Sequence, residues 1–334
     1  VESDAGRAPA QGARTVNTQL EQVDRKLDLS SRAHVSGEPS PPLTARAKLT
    51  LRLRASGRAA GPASGPFAST RRIAEAMPEG DTIHHAANTI RPVLEGRIPD
   101  RIATPQRRHD GDRWPARLAG RAVTAVAARG KHLLLHFEGD LVLHSHLRMT
   151  GAWAVHGPGE RWRRAPARAW LVLGAGDRCV VQFDGPLLEL ITASRARLDP
   201  RLRELGQDVI GERFDEDLLI RRIREDDPTR AFGDALLDQR TIAGIGNIWK
   251  SESCFAAAAD PWKPLARTAD ETVLAAVRFA REQMAKSARD GYEARPRAVY
   301  AREGKACRRC GEPVRCARQG DGNRTTYWCA GCQR

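Results

Sequence analysis

The chain has 334 residues, with 55 lysines and arginines against 41 aspartates and glutamates, a formal charge of +14. That length fits about two domains with real cores, and 41% hydrophobic residues place most of the chain in the globular class. No stretch has the length and apolarity of a spanning helix, and no charged-then-apolar leader opens the chain, so neither a membrane partner nor secretion is expected. The positive balance points instead to a polyanionic partner.

Residues 1–76 carry Leu, Ile, Val and Phe at only 13 of 76 positions, too few for a packed core. Stretches such as "ASGRAAGPASGPFAST" have no sustained period, and the segment is predicted to be disordered. It reads as a dispensable extension, as sequence ahead of a start at Met77, or as a tethering tail.

From Met77 the texture changes. Asp81 is placed to cap a helix whose apolar stripe is Ile83, Ala87, Ile90 and Leu94, with Gly96 as its stop. Strand-like runs follow in "RAVTAVAARG", "HLLLHF", "LVLHSHL", "AWLVLG" and "RCVVQF", broken by "EGD" and "GAGD". Short strands joined by tight turns predict an antiparallel β-sandwich or barrel, with its N-terminal helix, over 77–198. Residues 199–290 read as a four-helix unit. Asp215 opens "DEDLLIRRIRE", Pro228 precedes "TRAFGDALLDQR", and "GIGN" leads into "IWKSESCFAAAA". Thr268 and Glu271 are spaced as a capping box before a long helix to about Ser287. The overall class is α+β, closed by a cysteine-rich segment over 291–334.

Cys307 and Cys310, then Cys329 and Cys332, form two Cys-x-x-Cys pairs with 18 residues between them. Four thiolates at this spacing predict one structural Zn²⁺, tetrahedral and with no open position for catalysis. Cys316 reads as a bystander. Ten basic residues against three acidic ones in 295–334 make this segment a basic patch as well. The run from Gln239 to Asn247 brings glycines and a helix N-terminus together, which suits an anion. By itself it reads equally as an ordinary helix connection.

"MPEGD" at residue 77, "RGKHLLLHF", "SHLRMTGAW", "LGQD", "LLDQRTIAGIGNIWKSE", "VYAREGKACRRCG" and "RTTYWCAGCQ" occur in this order. Together they resemble the formamidopyrimidine-DNA glycosylase and endonuclease VIII family of base-excision repair enzymes, over residues 77–334. The resemblance implies a catalytic β-sandwich, a helix–two-turn–helix domain and a β-hairpin zinc finger. It implies a bifunctional DNA glycosylase and abasic-site lyase acting on damaged DNA, a monomer of cytoplasmic or nucleoid location. Pro78 matches the family's N-terminal proline, whose secondary amine forms a Schiff base with the sugar. Glu79 matches its acid–base partner, and Lys131 a turn lysine on a DNA phosphate. Gly246 and Asn247 match the phosphate clamp of the helix–two-turn–helix, Arg324 a zinc-finger arginine on flanking phosphates, and Met149 an intercalating wedge. Met149 reads equally as a core residue at a strand end.

Gly80 resembles the endonuclease VIII branch, which favours oxidised pyrimidines and β,δ-elimination. The segment between the long helix and Cys307 also looks short for a loop covering oxidised guanine. Oxidised-purine excision, and a non-catalytic zinc-finger binder should the extension block Pro78, are the alternatives. Thr82 stands where many relatives carry a second acid, and Asn323 where they often carry Gly.

Overall fold

The computed structural model describes residues 78–291 and 297–334. The expectation of disorder over 1–76 lies outside them, as does part of the segment read as short before Cys307.

Helix α1 (Gly80–Leu94) buries the expected stripe of Ile83, Ala87, Ile90 and Leu94. Gly96 follows its end at a positive φ of 78°, a conformation that glycine adopts without a Cβ penalty. The cap differs from expectation. Glu79 is the N-cap, and its backbone N–H donates to Thr82 Oγ1 at 3.4 Å. Asp81 lies inside the first turn, fully buried, and accepts a hydrogen bond from Ser287 Oγ of the last helix. A tertiary partner has taken the side chain that the local pattern assigned to the cap.

Two antiparallel four-stranded sheets follow. One has the order β2 (Val123–Arg129), β3 (His132–Phe137), β4 (Leu141–His146), β8 (Leu187–Thr192). The other has β1 (Arg101–Ala103), β6 (Ala169–Ala175), β7 (Arg178–Phe183), β5 (Ala152–His156). A short helix α2 (Trp114–Leu118) precedes β2. Leu133, Leu135 and Leu143 from one sheet pack with Leu171, Leu173 and Val180 from the other and with Ile83, Ile90 and Leu94 of α1. Val172 and Val181 point the opposite way, with Phe183, into a second cluster around Trp162. This period-2 alternation is that of strands buried on both faces.

Helices α3 (Ala193–Leu198) and α4 (Pro200–Arg203) lead out of the sandwich. Then come α5 (Glu216–Arg224), α6 (Phe232–Ala235), α7 (Asn247–Ala256) and α8 (Asp270–Asp290). Asp215 caps α5 as expected, accepting from Leu218 N at 2.9 Å. Two other expectations fail. "TRAFGDALLDQR" yields a single helical turn, because the chain beyond Asp238 turns away to form a two-residue parallel bridge between β9 (Gln207–Asp208) and β10 (Ile242–Ala243). The capping box at Thr268 does not form either. Ala269 is the N-cap, and Thr268 Oγ1 donates to Pro264 O. Phe232, Trp249, Val277 and Met284 form the core of this unit.

The C-terminal hairpin pairs β11 (Arg315–Gln319) with β12 (Arg324–Trp328). It packs on α7 through a small core of Phe255, Val299, Val314 and Cys329. Lys250 of α7 is fully buried beneath it, donating to Thr326 Oγ1 and Gln319 Oε1.

Candidate active site

The start of α1 and the start of α7 are pressed together. Gly80 N donates to Gly244 O at 2.9 Å, and a Cβ on Gly80 would lie 2.8 Å from Gly244 Cα. A Cβ on Gly246 would lie 2.3 Å from the Glu79 carboxyl carbon. Only glycine permits these approaches. They bring the Glu79 carboxylate onto the open amides of α7. It accepts from Gly246 N at 3.0 Å, Ile248 N at 2.7 Å and Trp249 N at 3.3 Å. The anion that this helix start attracts is thus the chain's own carboxylate, and the Gly246 amide is occupied by it.

Lys131 sits in the β2–β3 turn, and its Nζ donates to Ile245 O at 2.7 Å. Burial is the main influence on this ammonium and Arg324 adds to it, while Glu79 opposes them; the net effect lowers Lys131 to about 8. Asp208, in the "LGQD" motif, fixes the turn from below. Its carboxylate accepts from Gly130 N at 2.6 Å and Ile210 N at 3.0 Å, and pairs with His84 Nε2 at 2.9 Å. Asn247 Nδ2 donates to Thr325 O at 2.7 Å, which ties α7 to β12 beside Arg324.

A cavity of about 440 Å³ opens where these elements meet. Its wall includes Pro78, Glu79, Lys131, Gly246, Asn247, Arg148, Met149 and Arg324. Pro78, Glu79, Lys131, Met149, Gly246, Asn247 and Arg324, the catalytic and DNA-binding candidates from the sequence, therefore face one space, drawn from five segments of the chain. Met149 is 58% exposed, in the turn where Arg148 has a positive φ of 45°; this removes the core reading of that side chain. The wall also contains His132, His146, Leu187 and Arg201, which the sequence did not point out. The trace of the two histidines was the pair at alternate positions on β4, His144 and His146, and the pair on β3, His132 and His136; Leu187 and Arg201 left none.

The four cysteine sulfurs lie within 4.8 Å of one another, with Cys310 and Cys329 Sγ 3.4 Å apart and Cys307 and Cys332 Sγ 3.8 Å apart. Zinc–thiolate bonds of about 2.3 Å in a tetrahedron require sulfur separations near ~3.8 Å, so the donor set fits that ion. No helix among the described residues is long and apolar enough to cross a membrane.

Comparison with known proteins agrees with this arrangement. Residues 77–186 match the formamidopyrimidine-DNA glycosylase N-terminal domain, and residues 205–295 match the H2TH domain of the same enzyme family. The chain is 40% identical to "Probable endonuclease 8 2" of Streptomyces coelicolor, covering 77% of this chain and 94% of that protein. It is 34% identical to "DNA-(apurinic or apyrimidinic site) lyase Nei2" of Mycolicibacterium smegmatis, covering 99% of that protein. Among solved structures, MutM (Fpg) of Thermus thermophilus superimposes with a TM-score of 0.63 at 29% identity, over 77% of this chain and 98% of that one. The Lactococcus lactis Fpg bound to abasic-site DNA, at 21% identity and a TM-score of 0.65, shares the fold over 77% of this chain and 99% of its own. With two consecutive domains of one family matched in order, and with a relative at 40% identity along nearly its whole length, the chain belongs to the formamidopyrimidine-DNA glycosylase and endonuclease VIII family.

Proposed function

We propose that this protein removes oxidised pyrimidines from DNA and then nicks the strand by β,δ-elimination through a Schiff base on Pro78. The coarse activity follows from family membership: the chain is a DNA glycosylase and abasic-site lyase of base-excision repair. The observation that carries the finer reading is the single cavity shared by Pro78, Glu79, Lys131, Asn247 and Arg324. The pyrimidine preference rests on "PEGD" and on the endonuclease 8 relatives.

Pro78 acts as a secondary amine when the chain begins there. Its lone pair attacks C1′ of the damaged nucleotide as the bond to the base breaks and the base leaves with that electron pair; the C1′–O4′ bond then opens, O4′ taking a proton, and an iminium ion is left. An α-amino group titrates near pH ~8, so a neutral fraction is present at neutral pH. With Pro78 in an internal peptide bond, the nitrogen has no such lone pair and the route is closed. Glu79, held by three amide donors, is bound in its ionised form. It is placed to take the Pro78 proton and pass it to O4′ as the sugar ring opens, a transfer that an abasic site already in its open aldehyde form does not need. Removal of a C2′ proton then expels the 3′ phosphate, and a second elimination expels the 5′ phosphate. Lys131, Asn247 and Arg324 hold the flanking phosphates, and Met149 fills the gap left by the extruded nucleotide. One Zn²⁺ on Cys307, Cys310, Cys329 and Cys332 stiffens the hairpin that carries Arg324.

The test is borohydride trapping on a protein beginning at Pro78, with thymine glycol and 8-oxoguanine duplexes side by side. Faster covalent capture on thymine glycol, mapped to Pro78, is expected. Capture at another residue, or a preference for 8-oxoguanine, would reject the corresponding half of the reading.

A further inference from the structure

Three histidines from adjacent strands stand behind the Lys131 turn. His132 of β3 lies opposite His146 of β4 in the sheet register, with ring centroids 4.7 Å apart and edge to face. His132 Nδ1 is 2.8 Å from Nε2 of His144. His144 is fully buried, and its own Nδ1 lies 3.7 Å from Glu189 Oε2. Glu189 is held in turn by Arg201 Nη2 at 2.8 Å. His144, Glu189 and Asp199 are close enough to enclose a metal ion, but the Arg201 guanidinium already bonds both carboxylates and supplies the cation of this cluster.

Burial keeps these imidazoles neutral: desolvation is the largest influence on each, lowering His132 to about 3 and His146 to about 4, and lowering His144 as well. A neutral imidazole has one N–H and one acceptor nitrogen, so the geometry fixes each tautomer in sequence. His144 Nδ1 is buried and 3.7 Å from the Glu189 carboxylate, longer than a hydrogen bond, but a lone pair facing that carboxylate would be repelled, so electrostatics favour the proton there and leave His144 Nε2 as the acceptor. His132 Nδ1 is then the donor, and His132 Nε2 is left as an acceptor. His146 is set the other way. Arg148 N–H donates to its Nδ1 at 3.0 Å, which leaves Nε2–H as a donor. Both rings line the cavity that contains Pro78 and Glu79.

A fixed acceptor is out of place on a surface that only grips backbone. Phosphate and sugar ether oxygens are acceptors themselves, and the exchangeable donors of an intact DNA strand are base N–H groups. We propose that His132 is a specificity-determining residue whose Nε2 accepts a hydrogen bond from an N–H of the extruded damaged base, in the tautomer set by His144 and Glu189. The inference rests on the glycosylase reading above. Ring-oxidised pyrimidines such as thymine glycol retain the N3–H that this acceptor requires.

The experiment compares single-turnover excision from a thymine glycol duplex with cleavage of an abasic duplex of the same sequence. His132→Phe keeps a ring and removes the acceptor; the ratio of excision to abasic cleavage should fall about tenfold or more, as expected when a buried base N–H loses its partner. His132→Gln, which returns an oxygen near the Nε2 position, should recover part of that ratio. An unchanged ratio for His132→Phe would overturn the inference. Nitrogen NMR of the labelled imidazoles in the wild-type protein gives an independent reading, and a proton found on His132 Nε2 would overturn it as well. A wild-type protein that cleaves abasic DNA but leaves thymine glycol intact would refute the substrate reading instead, while the NMR result would still decide the tautomer.

Discussion

At the scale of single residues, Glu79 joins fold and chemistry. Its carboxylate is the end group of α7, through three backbone amides, and it lines the same cavity as Pro78, the proposed nucleophile. Glu79→Gln keeps the shape but offers one acceptor oxygen, and its NH₂ would face an amide donor. The helix start should lose about 1 kcal/mol, the usual cost of a weakened cap, seen as a small drop in Tm. Excision of thymine glycol should fall about 10²–10⁴-fold, the range for an acid–base group. Cleavage at a ready-made abasic site should fall much less, because loss of the base is already complete there. Equal losses on both substrates would show that Glu79 serves the shared elimination steps. Pro78, Glu79, Lys131 and Met149 could be singled out because they lie in short motifs. Asp208 and His132 lie in quoted motifs too, and Arg201 in none, but what they do could not be read there, since it comes from partners such as Gly130, His144 and Glu189 that are brought near only by the fold.

At the scale of elements, regular patterns were legible and competing partners were not. The stripe of α1 and the runs of β3 and β7 follow directly from periodicity, because packing there repeats a local rule. The ends went astray where a side chain found a distant partner: Asp81 turned to Ser287, and Thr268 to Pro264. Strand β1 is only three residues long and exists through pairing with β6, while β5 and β8, which were not among the runs read from the sequence, pair with β7 and β4. The cysteine hairpin is the opposite case, since its two Cys-x-x-Cys pairs announce it and its own core is small. That core, unlike the sandwich core, cannot hold the element without a cross-link. Chelation of zinc should therefore abolish binding to abasic DNA while leaving the main melting transition of the sandwich largely in place. Cys329→Ser should behave in the same way, and if it bound and cleaved DNA normally the metal would have no part in positioning Arg324.

At the scale of the whole molecule, the net charge of +14 becomes useful only where the fold gathers it. Lys131 from the sandwich and Arg324 from the hairpin reach one cavity, so affinity for DNA should be carried by phosphates and fall steeply with salt. Each cationic phosphate contact contributes about 0.9 to the slope of log affinity against log salt. Arg324→Ala should reduce that slope by about one contact and weaken binding similarly on every sequence. Lys131 adds a dependence on pH that Arg324 cannot. Its amine in the free protein is lowered to about 8, whereas a phosphate beside it favours the ammonium. Below pH 8 the charge is already present and binding should be nearly flat. Above pH 8 each complex must take up a proton, so affinity should decline, approaching about tenfold per pH unit by the linkage rule. Lys131→Met should remove this decline along with its share of the salt slope. Titrations on a duplex with a reduced, unreactive abasic site keep the chemistry of Pro78 out of the measurement. A wild-type affinity that stayed level from pH 7 to pH 10 would place Lys131 away from the phosphates, and an unchanged salt slope in Arg324→Ala would do the same for the hairpin.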